Sequence, residues 1–407
     1  MSLNFANYHQ FIVKFTFAAT TSVLLASCAN QDNSQNNSHS PSHSISPIVA
    51  QANARYCSQD SQNVKLDLTG VELRRVAGIP LAYQGFNNIE GPVWHDGALY
   101  YSNMGSRVNS ETGFELSNQT TIWRFAPGNK PEVWLDDTVA GTNGLAIDAK
   151  GRLIAARQLD GSVSSIDWQT KAITPIVSSF NGKRFNSPND LTIGADGSIY
   201  FTDPNWNTPS NINLDDTQGG GAPGSTEPGQ RIYRISGDGS FGETRATDLV
   251  PELADKPNGI MLSFDEQQLI IGGLQGLWVF DLKEDKLTNP KKLLNTPIDG
   301  LGKDCSGNIY VTTTRALLER KEERKEERKD GQVIVVLDKS YQEVGQLTVP
   351  GIHIVTNVAF GGNDGKTLFV TSLTAPMDGD KVRLCGDKPC LKAGIYTAKM
   401  NVQGFPY

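Results

Sequence analysis

Short apolar runs, each opened by a polar residue and interrupted by a tight turn, recur along this chain. The clearest example is NDLTIGADGSIYFTD, residues 189–203, in which the polar pair Asn189-Asp190 precedes two β-rich runs separated by Asp196-Gly197. Asp-Gly between two such runs predicts a β-hairpin, because a tight primed turn requires positive φ. The segment is therefore predicted to form two antiparallel strands.

The same pattern occurs at five other places. The six segments open at Glu90, Asn143, Asn189, Asn258, Asp299 and Asn357. In four of them a glycine lies eight residues after the opening residue, in the first it lies seven after, and the fourth lacks it. Their starts are 41 to 69 residues apart, which is the spacing of propeller or solenoid repeats. The chain is therefore predicted to be all-β, a six-bladed β-propeller.

The six opening residues are predicted to form a ring, because the first strand of each blade lines the central channel of a propeller. Each offers a carboxylate or amide oxygen, and none is His or Cys. Such donors favour a hard cation, above all calcium, and two carboxylates would neutralise a divalent charge. Turn preference alone explains a single Asn-Gly pair, but not six polar residues at one phase of a repeat. We therefore predict a central metal channel that holds one divalent cation, most naturally Ca²⁺.

Five phrases of the sequence match one known family in the same order. They are IEGPVW (89–94), RFNSPNDLTIGADGSIYFTDP (184–204), KPNGIML (256–262), IDGLGKDCSGNIYV (298–311) and TNVAFGGNDGKTLFVTS (356–372). On these phrases the chain resembles the gluconolactonase/regucalcin (senescence-marker-protein) family, from about Ile89 to the last residue. The resemblance implies a six-bladed propeller with one divalent ion, usually calcium, in its channel, and hydrolysis of lactones.

The resemblance also implies roles for particular residues. The metal ligands that it implies are Glu90, Asn189, Asn258 and Asp299. Asp299 is in addition the implied catalytic base. Asn143 and Asn357 match ring positions that lie nearer to the substrate or to bound water. Arg184, just before the third segment, is a further candidate for binding a polar substrate, although an exposed loop arginine is the simpler interpretation.

Three functions remain open at this stage. The leading interpretation is a calcium-dependent hydrolase of lactones, in particular sugar lactones. A metal-dependent esterase or phosphotriesterase on the same propeller is the second, because the ring does not distinguish these substrates. A tethered propeller that binds a partner without catalysis is the third, and a channel sealed by the long insertion at 205–230 would favour it. The sequence contains no GxSxG, HExxH or phosphate-loop motif, which excludes several other hydrolase and nucleotide-binding classes.

The 407 residues carry a formal net charge of −7 at pH 7. Their densest run of charge, LLERKEERKEERKDG (317–331), mixes both signs and is expected to be a solvated excursion between strands. This acidic balance without a basic patch argues against nucleic acid as a partner.

The first 53 residues differ from the rest of the chain. Residues 1–28 are predicted to be a lipoprotein signal peptide, because an apolar run too short to span a bilayer leads directly into Leu25-Ala26-Ser27-Cys28. The alternative is an ordinary signal peptide with an incidental cysteine. Residues 29–53 are rich in Asn, Gln, Ser and Pro and are predicted to be a disordered tether, which leaves 54–407 for the propeller. The protein is therefore expected to be an exported bacterial lipoprotein, anchored in a membrane of the cell envelope through lipid on Cys28.

Four cysteines follow Cys28, and export permits disulfides between them. Cys385 and Cys390 are close enough in sequence to close a small loop and are predicted to pair. Cys57 and Cys305 would then be left for each other, and their pairing stays open. A zinc site at Cys385 and Cys390 lacks two further ligands nearby.

The segment 71–76 has the character of a strand. Propellers often close by pairing an N-terminal strand with the last blade, which removes an exposed sheet edge. We therefore expect this segment to complete the sixth blade.

We predict that the mature protein begins at Cys28 and carries lipid there. Mass spectrometry of the N-terminal peptide from envelope preparations should show acyl chains on that residue, and Cys28→Ser should release the protein from the membrane fraction. Cleavage at another position with no lipid would contradict the prediction.

Overall fold

A computed structural model describes most of the chain. It divides the chain into two units, residues 1–44 and 45–407, and the first unit lies outside the described residues. The described ranges are 45–78, 87–107, 115–137, 141–206, 230–313, 331–350, 354–373, 377–378, 381–382, 384–385, 388–389 and 394–407. Among the helices of these ranges, none has the length and apolar content needed to cross a bilayer.

Six antiparallel sheets of four strands each, one for every predicted repeat, form a six-bladed β-propeller. The blades are numbered in chain order, and the strands of each are given from the first to the fourth. Blade 1 has Asn87–His95, Ala98–Arg107, Glu115–Phe125 and Glu132–Asp137; blade 2 has Thr142–Ile147, Leu153–Arg157, Ser162–Ile166 and Ile173–Val177; and blade 3 has Leu191–Ile193, Ile199–Asp203, Arg231–Ile235 and Phe241–Glu243. Blade 4 has Pro257–Leu262, Gln268–Gly273, Gly276–Lys283 and Lys286–Leu294; blade 5 has Ile298–Lys303, Ile309–Thr313, Gly331–Leu337 and Glu343–Pro350; and blade 6 has Ile354–Gly361, Thr367–Leu373, Gly394–Lys399 and Arg74–Gly78.

The remaining elements are short. Two-residue strands pair as Ser179–Phe180 with Lys183–Arg184, Met377–Asp378 with Lys381–Val382, and Leu384–Cys385 with Lys388–Pro389. The α-helices are Pro47–Asn53 and Ala246–Leu249, and the 3₁₀-helices are Asp60–Asn63 and Pro251–Ala254.

The hairpin between the first two strands of each blade turns where the sequence predicts. A residue with positive φ lies at every turn: Asp96 and Gly97, Gly151, Gly197, Glu266, Gly307 and Gly365. In the fourth blade Glu266 replaces glycine, at φ 56°.

The propeller closes through its N-terminal strand. Arg74–Gly78 pairs antiparallel with Gly394–Lys399, so that the fourth strand of blade 6 comes from the beginning of the described chain. This confirms the role expected for segment 71–76, although the strand begins and ends slightly later.

The apolar core lies between the blades. Each of the six largest clusters of buried side chains joins one blade to the next around the ring. For example, Ile154 of blade 2 shares a cluster with Phe201 of blade 3, and Phe369 of blade 6 shares one with Tyr101 of blade 1. Because both faces of a blade are covered, second strands such as Leu153–Arg157 and Ile199–Asp203 are buried along their whole length.

The face of the propeller that carries the six hairpin turns is covered by residues 45–64 and 403–407, which we call the floor. Asn53 donates from Nδ2 to the carbonyl of Phe264 at 2.7 Å, and Trp94 donates its N–H to the carbonyl of Pro406 at 2.9 Å. A Cys57–Cys305 disulfide joins the floor to blade 5.

The floor corrects one predicted boundary. The proposed tether extends to residue 53, but Pro47–Asn53 is a helix capped by Ser46, with Val49 and Asn53 buried. Contacts with the hairpin turns fix this helix, and such contacts are invisible to local composition. The part of the chain packed on the propeller therefore begins before residue 54.

Several other predictions fall outside the described residues. These are the signal peptide and Cys28, the rest of the tether, and nearly all of the two insertions. Cys385 lies in a described strand but Cys390 does not, so their pairing stays a prediction. The open question about Cys57 and Cys305 is answered, because they form a disulfide.

We predict that the Cys57–Cys305 disulfide stabilises the fold substantially, because it closes a loop of 248 residues in the unfolded chain. Replacing both cysteines with alanine should lower the free energy of unfolding by about 2–5 kcal/mol. Thermal or denaturant unfolding with and without reductant measures this. Reductant should lower the melting temperature of the parent more than that of the double variant, which keeps only the predicted Cys385–Cys390 pair, and equal melting temperatures of parent and variant without reductant would contradict the prediction.

Candidate functional site

The six ring residues lie where the first strand of each blade departs from regular pairing. In five blades the register between the first two strands shifts around the ring residue, between Glu90 and Val93 in blade 1 and between Ile298 and Leu301 in blade 5, for example. In blade 3, Thr202 bonds through its carbonyl to Asn189 N and through its N–H to Asp190 O. Such bulges re-aim side chains, and here they occur at the polar positions.

The backbone around these positions forms a closed circuit of contacts from blade to blade. The contacts are Ser102 Oγ to Asn143 O (2.6 Å), Gly144 N to Asn189 O (2.8 Å), Thr202 Oγ1 to Asn258 O (2.9 Å), Thr312 Oγ1 to Thr356 O (3.0 Å) and Thr356 Oγ1 to Ile89 O (2.5 Å). Between blades 4 and 5, Gly259 lies so close to the carbonyl of Asp299 that a Cβ on it would be 2.5 Å away. The structure thus brings all six predicted positions together around one channel.

A buried turn holds Asn189 in place. Asp203, at the end of the second strand of blade 3, accepts the N–H groups of Asn186 and Ser187 at 3.0 and 2.9 Å. Burial raises the pKa of Asp203 to about 7, although these hydrogen bonds act in the opposite direction. The turn therefore fixes the position of the backbone just before the ring residue Asn189.

Glu90, Asn143 and Asn189 are all buried at the channel, with no more than 7% of their surface exposed. Asn258 and Asp299 are partly exposed to it, and the Asn258 side chain forms a hydrogen bond with the Asp299 carboxylate. Burial, and secondly the negative charge of Asp190, raise the pKa of Asp299 to about 8. Asp299 is thus an enclosed carboxyl group beside a second one.

Asp190 is the channel residue that the sequence analysis missed. Its Oδ2 accepts a hydrogen bond from Asn357 Nδ2 at 3.3 Å, and its Oδ1 accepts the N–H of Leu191 at 2.9 Å. Burial raises the pKa of Asp190 to about 7. A small cavity of about 20 Å³ lies beside Asp190 and Asn357, with Tyr407 of the floor also in its wall, and it has room for about one water molecule. One feature of the sequence could have identified Asp190 as a channel residue. It directly follows a ring residue, and four other blades have glycine at that position.

Arg184 is placed differently from the ring. Its Nη1 donates to the carbonyls of Phe185 and Asn186, and its Nη2 donates to those of Leu159 and Gln158. The guanidinium therefore ties the loops of blades 2 and 3 together. A direct contact between Arg184 and substrate stays a prediction, and this arrangement does not favour it.

The donors at the channel fit a hard cation. The ring offers carboxylate and amide oxygens, the ligands that calcium prefers. In the described part of the chain no group of three or more His, Cys, Asp and Glu side chains is placed to hold a metal, so any site here depends on asparagine oxygens as well. Asp190 and Asp299 lie close enough for their negative charges to repel, which makes it unfavourable for both to be ionised. A cation bound between the blades would counteract this repulsion. Glu90, Asn189, Asn258 and Asp299 could hold it.

Comparisons with known proteins identify relatives of this chain and structures that share its propeller fold. The gluconolactonase of Zymomonas mobilis is 28% identical over 249 residues, a match that covers 57% of this chain and 61% of that relative. A gluconolactonase structure from Xanthomonas campestris has a TM-score of 0.56 at 21% identity and covers 85% of this chain and 94% of that one. The structure of regucalcin from Agrobacterium tumefaciens, described as a calcium-binding protein, has a TM-score of 0.52 at 16% identity, with 82% and 96% covered. At such identities the two structures show the shared fold.

A family model gives the wider relationship. The model described as the SMP-30/Gluconolactonase/LRE-like region matches residues 89–374, from the first strand of blade 1 to just beyond the second strand of blade 6. The match covers well over half of the chain and includes all six ring residues. The chain therefore belongs to the SMP-30/gluconolactonase/LRE-like family.

Proposed function

We propose that this protein is a calcium-dependent hydrolase of lactones, with sugar lactones as its substrate class. The observation that carries the proposal is the closed ring of oxygen donors with two adjacent enclosed carboxyl groups, Asp190 and Asp299. Membership of the family and the relationship to the Zymomonas gluconolactonase support the substrate class.

Glu90, Asn189, Asn258 and Asp299 would hold the cation. Calcium bound there supplies a Lewis acid that polarises the lactone carbonyl and stabilises negative charge on its oxygen. Asn258 would also orient Asp299, because their side chains are hydrogen-bonded to each other. Asn143 is not among the proposed metal ligands, and we propose that it binds hydroxyl groups of the substrate at the channel.

Asp299 is proposed to accept the proton of the attacking water. A general base works best when its pKa lies near the operating pH. In the metal-free protein, burial and the neighbouring Asp190 raise the pKa of Asp299. Calcium bound to this carboxylate would lower the pKa again, but it would also acidify the attacking water, which offsets the weaker base. Donation of that proton to the ring oxygen of the lactone would then release the hydroxy acid.

We also propose that the enzyme is exported and held at the bacterial cell envelope by lipid on Cys28, on the periplasmic or extracellular face. The motif at residues 25–28 supports this proposal. The Cys57–Cys305 disulfide supports it independently, because disulfides persist mainly in oxidising compartments.

We predict that Asp299→Asn abolishes most lactone hydrolysis while the protein stays folded. Loss of both a charge and the proton acceptor should lower kcat by about 10²-fold or more, whereas the side-chain shape is kept. The measurement is acid release in a pH-stat over a panel of sugar lactones, aryl esters and phosphotriesters, with calcium and after its removal by chelator.

Two variants separate metal binding from chemistry. Glu90→Gln should chiefly weaken calcium binding, so excess calcium should restore part of its activity. Asn143→Ala should raise KM and spare the calcium affinity. Full lactone hydrolysis by Asp299→Asn or by metal-free protein would refute this mechanism, and activity confined to aryl esters or phosphotriesters would refute the substrate class.

We further predict that calcium stabilises the fold more at high pH than at low pH. The pKa values of Asp190 and Asp299 are raised to about 7 and about 8 from 3.8. Protons on these groups favour the folded state, so their stabilisation is complete below about pH 4 and is lost as the pH rises through 7 and 8. The melting temperature of metal-free protein should therefore fall over this window, and added calcium should offset the fall.

The control for this prediction is Asp299→Asn, which removes one of the two groups. Its metal-free melting temperature should depend less on pH. A calcium-induced shift that is equal at pH 5 and pH 8 would contradict the prediction.

A further inference from the structure

One hydrogen bond crosses the channel from one side to the other. Asn357 belongs to blade 6 and Asp190 to blade 3, which are opposite in a ring of six. The amide Nδ2 of Asn357 donates to Asp190 Oδ2 at 3.3 Å, and both side chains are buried. The bond therefore links opposite sides of the channel directly.

Both ends of the bond are held by a second contact. Asp190 Oδ1 accepts the N–H of Leu191, and Asn357 Oδ1 accepts the N–H of Val358, each at 2.9 Å. The Asn357 amide thus uses its oxygen on its own backbone and its nitrogen on Asp190. These two bonds fix the orientation of the amide, because one of its donors and its oxygen are both held by protein groups.

Glycines of the neighbouring blades leave the space that the two side chains occupy. A Cβ on Gly144 would lie 2.8 Å from Asp190 Oδ1, and a Cβ on Gly300 would lie 2.2 Å from Asn357 Cγ. Neither glycine has positive φ, so backbone conformation does not require them. Gly144 is required by the close approach of the Asn189 carbonyl, 2.7 Å from such a Cβ, and of Asp190, whereas Gly300 is required chiefly by the Asn357 side chain.

We propose that Asn357 is a positioning residue, which fixes the Asp190 carboxylate beneath the ring so that its charge strengthens calcium binding without direct coordination. The inference rests on the proposed function for calcium, and it assigns Asn357 a role other than substrate binding. Residues that hold charged groups around a metal site typically contribute 10- to 100-fold to metal affinity. Asn357 and Asp190 lie on opposite blades, so the pair also fixes the width of the channel.

The first test is calcium titration calorimetry of Asn357→Ala in the absence of substrate. The calcium Kd should rise about 10- to 100-fold, and at saturating calcium the KM should stay within about twofold of the parent. The matched control is Asn308→Ala, which removes another buried Asn–Asp bond, Asn308 Nδ2 to Asp304 Oδ2 at 2.8 Å, in the hairpin turn of blade 5. That variant should lose stability but keep the calcium Kd.

A second variant displaces the Asn357 amide without removing it. Gly300→Ala introduces a Cβ that the amide must avoid, so its calcium Kd should rise in the same direction as that of Asn357→Ala. Gly242→Ala is its control, because nothing lies within 4 Å of a Cβ at that position. Gly242→Ala should leave both the calcium Kd and the melting temperature unchanged.

A charge exchange tests the bond itself. Asn357→Asp alone would place two carboxylates face to face, and Asp190→Asn alone would remove the charge. The double variant again has one carboxylate and one amide across the channel, with the carboxylate now at position 357 and the amide at position 190. If the bond positions the charge, the double variant should bind calcium more tightly than the product of the two single effects predicts.

The outcomes separate this inference from the function on which it rests. If the parent protein neither binds calcium nor hydrolyses lactones, the proposed function fails. If the parent does both while folded Asn357→Ala and Gly300→Ala keep the parental calcium Kd, the positioning role is refuted. A rise in KM alone for Asn357→Ala would likewise overturn it in favour of substrate binding.

Discussion

Closure of the ring is the constraint on which the rest of this structure depends. Six blades must meet around one axis. Hydroxyl and amide groups bond to carbonyls of the next blade in five places, and the Asn258–Asp299 bond links blades 4 and 5. The circuit is completed on the outside by Arg74–Gly78, which pairs with the last blade. A ligand set drawn from residues hundreds of positions apart can be held firmly only when such a circuit is closed.

The same constraint explains the Asn-Gly and Asp-Gly pairs that mark the repeats. In the sequence they resemble turn signals, but Gly144, Gly259 and Gly300 lie in strands. At each of them a Cβ would come within 2.2–2.7 Å of the next blade. The polar residue of the pair serves the channel, and the glycine permits the next blade to approach it. The motif therefore reflects packing at the axis, which is why it recurs at the same phase in four of the six repeats.

Much of the fold and the ring positions could be predicted because both follow from that recurrence. The phase of the repeat places Glu90 and Asp299 together although they are far apart in sequence. Asp190 was missed because it occupies the glycine position of its pair, and only the structure shows a carboxylate there. The helix Pro47–Asn53 was missed although Ser46-Pro47 is a helix-start signal, because the residues before it are rich in Asn, Ser and Pro and a helix of 7 residues depends on tertiary contacts. The bond between Cys57 and Cys305 could not be assigned from spacing, because the floor that brings them together is set by tertiary packing.

The floor also determines how the channel can be used. Residues 45–64 and 403–407 cover the face with the hairpin turns, and Tyr407 lies in the wall of the small cavity next to Asp190. The ammonium group of Lys303 donates to the carbonyls of Leu262 and Ser263 and lies over the aromatic ring of Phe405. Its charge therefore stabilises the contact between the floor and the blades. Within the described residues the floor therefore covers one mouth of the channel, and under the proposed function a substrate would reach the ring from the opposite face, on which the connections between second and third strands lie. A cation held by the ring would then have the floor on one side, so its coordination positions for substrate and water are expected on the side away from the floor.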